Sequence, residues 1–333
     1  MYLITYFLYM SRLLARMLFA RTRAELSADR LLRVIESKLN GQFANATFKK
    51  IKKFQAIQQL VINDSFAMLE NRYTNKDERE NNKLYFVLAS LYDDLMDENI
   101  VSKEVLNDMF LNPEKAIPKT FSEIALIDTH LKLISRVADK KAYQNVLTKI
   151  HEAQMDSARQ LNSNIGLDDL LSITERKGGY SLLMCRFYIS MSANKNLDEC
   201  WYNLGGLIQM TNDLYDIHKD TSAGIHTFAN TQYTYEAIRD NYKAQIQKFT
   251  LSIEKLHYSN FKKLVFKIKL SLIPALGYVA LENLKRLQGN KDSLSPFTQY
   301  ARKELIVDME KIKNLIKLFK YSFQIAKNKA IHL

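Results

Sequence analysis

The stretch YEAIRDNYKAQIQKFTLSIEKL, residues 235–256, sets Tyr235, Ile238, Tyr242, Ile246, Phe249, Ile253 and Leu256 at intervals of three and four, with polar and charged residues between. That spacing lines one stripe of an α-helix but would scatter over both faces of a strand, so the segment reads as a helix burying one side. The same period returns at Leu84, Leu88, Leu91 and Leu95, and again in the last forty residues. The chain therefore reads as a succession of long helices. Composition agrees, because 333 residues hold only nine glycines and four prolines, where average usage would give roughly 40. Strands joined by tight turns need more of both, which excludes a β-sandwich and a Rossmann fold. Pro113 and Pro118 mark a loop, Ser295-Pro296 reads as a helix start, and Pro274 should kink a buried helix inside the apolar run from Leu264 to Leu284.

No linker, repeat or composition break divides the chain after its first residues, so one helical domain over 25–333 is expected, preceded by an amphipathic helical segment over 1–24. That segment opens with an uncharged run to Ser11 and continues with Arg12, Arg16, Arg21 and Arg23 among Leu13, Leu14, Met17, Leu18 and Phe19. Its apolar part is too short to span a bilayer, and arginines that follow the run instead of preceding it disfavour a secretory signal. A terminal helix packed on its own domain is expected; an amphipathic helix resting on anionic lipid is the alternative. Cys185 and Cys200 offer neither a disulfide framework nor zinc spacing, which suits a cytoplasmic location. The net charge of +12 fits nucleic acid, anionic lipid or a polyanionic small molecule, and composition alone does not choose among them.

Two acidic clusters narrow the choice. In Leu91-Tyr92-Asp93-Asp94-Leu95-Met96-Asp97, Asp93 and Asp97 share a helix face, so their carboxylates can converge on a divalent cation. In Asn212-Asp213-Leu214-Tyr215-Asp216-Ile217-His218-Lys219-Asp220, the oxygens of Asn212, Asp216 and Asp220 form one row along two turns. Hard oxygen ligands without cysteines or convergent histidines favour magnesium over zinc. Between the clusters, Arg176-Lys177-Gly178-Gly179 suits an anion held near backbone at a helix start. Either acidic row could equally be a solvated helix face, and the glycines a plain turn or a close helix approach. Oxygen ligands in two helical rows have no use in nucleic-acid binding, so no nucleic-acid partner is expected.

Together these motifs resemble the class I isoprenoid synthases, the superfamily of terpene synthases, trans-prenyl diphosphate synthases and squalene or phytoene synthases. Asp93-Asp94-Leu95-Met96-Asp97 is similar to the DDxxD pattern. The segment from Asn212 to Asp220 is similar to the Asn-Ser-Glu motif of terpene synthases, with Asp216 in place of serine or threonine and Asp220 in place of glutamate. Gln209 with Asn212, Asp213 and Asp216 also resembles the second aspartate-rich motif of prenyl diphosphate synthases, and Lys177-Gly178-Gly179 their Lys-Thr-Gly segment. The upstream Gly-Lys-Arg motif of those elongating enzymes has no match in residues 41–80. There Lys49, Lys50, Lys52 and Lys53, with Phe48, Ile51 and Phe54, read as an amphipathic helix. The resemblance therefore leans to a bacterial-type terpene synthase, with a prenyl transferase of the same superfamily or a catalytically silent binding protein as alternatives.

The resemblance implies an all-α, single-domain antiparallel helical bundle around a central apolar cavity. It implies magnesium, roughly three ions, held by Asp93, Asp97, Asn212, Asp216 and Asp220. Lys177, Lys219 and Arg176 would grip the diphosphate of a linear allylic substrate, and Asp93, Asn212 and Lys177 would be essential to its ionisation. Phe86, two turns before Asp93, would wall the cavity, with the small Ala89 leaving depth for fifteen carbons or more. Thr221 to Asn230 would form a loop closing over the site. Peripheral membrane contact through residues 1–24 and a homodimer both stay open.

Overall fold

The computed structural model describes residues 2–97, 101–192, 194–327 and 331, apart from the side chains of Asp97 and Lys103. Among these residues every regular element is helical, as the apolar periodicity predicts. The helices gather into two compact units, each built from discontinuous pieces: residues 10–151 with 184–192, and residues 1–9 with 152–183 and 193–333.

In the first unit, α1 (Tyr2–Leu39) arrives from the other unit and is followed by α2 (Asn45–Ile57), α3 (Asp64–Ala67), α4 (Lys76–Asp97), α5 (Lys103–Leu111), α6 (Phe121–Arg136) and most of α7 (Lys140–Asp156). Helix α4 packs on both α2 and α6. It does so through the expected stripe, since Leu84, Leu88, Leu91 and Leu95 are all buried, each contributing about 1.5–3 kcal/mol of hydrophobic stabilisation. On α2 the buried positions are Thr47, Phe48, Ile51, Gln55 and Ala56. Phe54 instead faces solvent, because a residue at 55 lies closer to the 48/51 stripe. A single π-helical turn, Gln58–Asn63, follows α2 with every residue buried. Most of its polar side-chain atoms are answered internally: Asn63 donates to Asn82 at 2.8 Å, Gln58 to Asn63 at 3.1 Å and Gln59 Nε2 to Asp64 at 3.3 Å, whereas Gln59 Oε1 is buried without a hydrogen bond. The adjoining Asp64 accepts from the Thr74 backbone at 3.1 Å and pairs with Arg16. This polar knot ties α1, α3 and the start of α4 together, a feature that apolar periodicity does not foretell.

Helix α1 runs unbroken past residue 24 to Leu39. At 38 residues, with one window of mean hydropathy 1.3, its length and composition would suffice to cross a membrane, which corrects the expectation that it is too short. The expectation counts only the apolar part of residues 1–24, whereas the helix continues through the arginines to Leu39. Lysine and arginine are good helix formers, so they change the face of a helix without stopping it.

The second unit holds α8 (Leu167–Met184), α9 (Lys195–Tyr215), α10 (Ile217–Ser222), α11 (Tyr235–Glu254), α12 (Asn260–Leu270), α13 (Leu272–Gln288), α14 (Arg302–Leu305) and α15 (Ile312–Ala326). Helix α9 packs on α11 and α13, and α13 on α15, around the fully buried Trp201. Along α11 the stripe is buried except at Ile246, where Gln245 takes the interior position and donates to the Asn203 carbonyl at 2.9 Å. Helices α12 and α13 bend by 41° at Ser271. Pro274 accounts for the bend, since it has no N–H for the carbonyl four residues back, at Leu270. A helix does start here, but only as a short 3-10 turn over Phe297–Gln299, and Pro296 takes the N-cap position expected of Ser295, with no side-chain cap.

Candidate functional site

In the second unit the acidic row sits where α9 gives way to α10. Asp216 occupies the junction, with φ −96° and ψ 8°. The i to i+4 backbone bonds persist across it, from Asp216 N to Asn212 O and from Asp220 N to Asp216 O, each 2.8 Å. The row over two turns survives, but the junction gives its members unequal environments. Asn212 is exposed and Asp216 half-exposed, whereas Asp220 is buried. Asp213, not expected as a member, is buried as well. Its carboxylate accepts from Gln209 Nε2 at 3.0 Å and Thr174 Oγ1 at 3.1 Å.

Burial is the main force on both interior carboxyls. Desolvation pushes Asp213 up to about 6, against the opposing hydrogen bonds from Gln209 and Thr174 and the charge of Lys177. Desolvation, reinforced by the charges of Asp213 and Asp216, pushes Asp220 up to about 7, with Lys219 and Lys177 acting the other way. Three aspartates and two lysines thus interact at one end of α9, and the negative side is under-compensated. Lys219 extends into solvent with its Nζ 4.0 Å from Asp216.

The basic segment 176–179 is not at a helix start. It lies in the interior of α8, where the backbone N–H groups already bond within the helix, so the expected backbone anion cradle is corrected. The glycines serve a different end. A Cβ on Gly178 would overlap the carbonyl oxygen of Gly205, and a Cβ on Gly205 that of Gly178, so the pair lets α8 and α9 cross backbone to backbone. This close crossing brings Thr174 to Asp213 and Lys177 within electrostatic reach of Asp213 and Asp220. Arg176 is paired with Asp156.

The segment after α10 is anchored. Gly224 takes φ +68°, the His226 N–H donates to the Gln160 carbonyl at 2.7 Å, and Gln160 Nε2 returns a bond to the His226 carbonyl at 3.0 Å. Asn230 holds the turn from inside, donating to Ile225 O at 2.8 Å and accepting from Thr227 N at 2.7 Å, while Phe228 and Ala229 are fully buried. Ala223 N also donates to the Lys219 carbonyl at 3.0 Å, Gly224 N to that of Thr221 at 3.2 Å and Ile225 N to that of Asp220 at 2.8 Å, so hydrogen bonds hold the segment from its start.

In the first unit, Asp93 and Asp94 lie near the end of α4, both half-exposed. Lys50 of α2 stands 3.5 Å from Asp93 and 3.4 Å from Asp94, and Thr47 donates to Asp94. In the sequence Lys50 reads only as part of an amphipathic helix. The α2–α4 pairing that makes it a neighbour of the acidic motif is a tertiary contact with no local signal. Just before these residues, the buried Tyr92 hydroxyl meets His151 Nδ1 of α7 at 2.7 Å, which fixes the rotation of this helix end. Phe86, Ala89 and Asp93 fall on one half-buried face of α4. Asp97 ends the helix, and its side chain lies outside the described residues.

Among the described residues, no three histidine, cysteine, aspartate or glutamate side chains converge as a ready-made ion site. No family model matches the chain, and no curated protein matches it.

Proposed function

We propose that the protein is a class I terpene synthase: it ionises a linear allylic diphosphate of fifteen carbons or more and resolves the cation to a terpene hydrocarbon or alcohol. The observation that carries this reading is the crowding of Asp213, Asp216 and Asp220 at the α9–α10 junction, where two buried carboxyls are pushed to about 6 and about 7. Such a cluster costs folding energy without a cation, and its all-oxygen donors suit magnesium. The motif order that resembles the isoprenoid synthases supports the same reading.

In this proposal Asn212, Asp216 and Asp220 at the α9–α10 junction are magnesium ligands, and so are Asp93 and Asp97 at the end of α4. Magnesium, when bound, supplies the charge neutralisation that makes diphosphate a leaving group. Lys177 and Lys219 add positive charge toward the departing diphosphate oxygens. Asp213 is a positioning residue: its bond to Thr174 ties α9 to α8 and so keeps Lys177 near the aspartates, while its bond to Gln209, one turn back on α9, fixes the carboxylate itself. Arg176, engaged by Asp156, is a brace for α8 in this scheme and not the diphosphate clamp that the resemblance implies. Lys50 offsets part of the charge of Asp93 and Asp94, whose remaining negative charge would help hold the magnesium. Phe86 supplies an aromatic face to the substrate chain, where a desolvated cation–π contact is worth about 2 kcal/mol.

The test is incubation of purified protein with magnesium and allylic diphosphates of increasing chain length. Hydrocarbon or alcohol product, dependent on magnesium, supports the cyclase. A longer diphosphate formed only with isopentenyl diphosphate assigns chain elongation instead, and binding without turnover assigns a silent homologue.

A further inference from the structure

Helix α1 is buried on one side only. Tyr6, Met10 and Leu13 are 2%, 3% and 0% exposed, whereas Ile4, Phe7, Leu18 and Phe19 are 73%, 61%, 75% and 78% exposed. The exposed apolar positions 4, 7, 8, 15, 18, 19 and 26 fall on one side of the helix, with the exposed Ser11 and Thr22 between them and Arg12 and Arg23 along one edge. Apolar patches aligned on one exposed face and edged by charge mark an interaction surface.

Three observations identify what covers it. First, residues 2–24 contain Arg12, Arg16, Arg21 and Arg23 and no aspartate or glutamate; Arg16 is engaged by Asp64 and Arg21 by Glu25, so the exposed Arg12 and Arg23 carry the basic edge of this face. Second, two clefts that α1 borders are basic. One, of about 470 Å³, is lined by Arg21, Arg33, Lys49, Lys52 and Lys53 against Glu25 and Asp29. The other, of about 390 Å³ beside Tyr2, is lined by Lys263, Lys267 and Lys327 against Glu254. Third, the helix cannot leave the protein to cross a bilayer without stripping its buried side. The Tyr6 hydroxyl donates to Ser322 at 2.9 Å, and the rings of Tyr2 and Tyr6 pack edge-on to Phe323 at 5.7 Å and 5.0 Å.

We propose that α1 is an interfacial anchor that lies in the plane of an anionic lipid surface, its aliphatic and aromatic stripe inserted at the headgroup–acyl boundary and its basic flanks on the phosphates. A second copy of the chain fits less well, since this stretch of α1 has no acidic residue to answer its partner's arginines. A nucleic acid would leave the apolar stripe uncovered. The inference does not depend on the chemistry proposed above.

The experiment is co-sedimentation of the purified full chain with vesicles of phosphatidylcholine alone, or of phosphatidylcholine mixed with an equal part of phosphatidylglycerol, at low and high salt. The wild type should pellet with the mixed vesicles, less at high salt, and stay in solution with phosphatidylcholine alone. The double variant Leu18→Glu/Phe19→Glu should bind the mixed vesicles at least about tenfold more weakly. Arg23→Glu should weaken binding and flatten its salt dependence. All three side chains are solvent-exposed, and circular dichroism checks that the variants stay folded; Ile4→Glu/Phe7→Glu repeats the measurement farther along the same stripe. Wild-type binding by both double variants, or equal binding to the two vesicle types, would overturn the proposal. So would a light-scattering dimer that Leu18→Glu/Phe19→Glu dissolves while the wild type ignores vesicles.

Discussion

Asparagine at position 220 should make the metal-free protein more stable, and the size of the gain follows from the burial of the carboxyl. Folding carries Asp220 from an ordinary 3.8 to about 7. Below pH 4 the group is protonated in both states and costs nothing. As pH rises from about 4 to about 7, the unfolded chain releases this proton while the folded chain keeps it, so stability falls across that window. A rise of about three pKa units corresponds to roughly 4 kcal/mol at 1.36 kcal/mol per unit. Asparagine removes the charge but keeps a buried polar group, so about 2–4 kcal/mol is the gain to expect near pH 8. For 333 residues, an unfolding entropy of about 2.1 cal/mol/K per residue turns this into a rise in Tm of about 3–6 °C.

The assay is thermal unfolding in excess chelator from about pH 4 to pH 8, for wild type and Asp220→Asn. The two should melt together at the acid end and diverge as pH rises, with the variant higher. Magnesium should then raise the wild-type midpoint near pH 8 and leave the variant nearly unmoved, since a bound cation relieves a repulsion that the variant no longer has. A variant that melts at or below wild type near pH 8 in chelator would refute the reasoning, because it would mean that Asp220 is stabilised in the fold by partners strong enough to offset its desolvation.

Three further outcomes follow from the same geometry. Asp93→Ala or Asn212→Ala should abolish magnesium-dependent turnover of an allylic diphosphate and leave the far-ultraviolet helical signal intact; wild-type rates in either would remove the proposed ligands. Gly178→Leu should force α8 from α9 at the Gly205 carbonyl and destabilise by at least about 1–3 kcal/mol, read as a lowered urea midpoint, whereas the same change at the unencumbered Gly166 should shift it far less. Asp64→Ala should leave Arg16 and Thr74 without their shared acceptor and cost about 3–5 kcal/mol, measured by urea unfolding followed by circular dichroism.

Much of this architecture was readable along the chain because helices announce themselves locally. An apolar residue every three or four positions can be buried only on one side of a helix, and so α4 and α11 were expected where they occur. The bend at Pro274 was equally legible, since a missing N–H acts on a carbonyl four residues away. The two acidic rows were visible for the same reason: i and i+4 share a face whatever the rest of the chain does.

What could not be read were contacts between residues far apart in sequence. Gly178 and Gly179, with two cations before them, look like an anion cradle until the Gly178–Gly205 crossing shows them in the middle of a helix. Lys50 becomes a partner of Asp93 and Asp94 only because α2 packs on α4. Asp213 and Asp216 are three residues apart on one helix end, yet the first is buried and the second half-exposed. Sequence alone determines which residues can share a helix face, because that depends on backbone geometry within a few turns. Only the tertiary structure decides which of those faces lose their water, because desolvation is imposed by neighbours from other helices, and it is desolvation that turns an acidic row into a cluster short of positive charge.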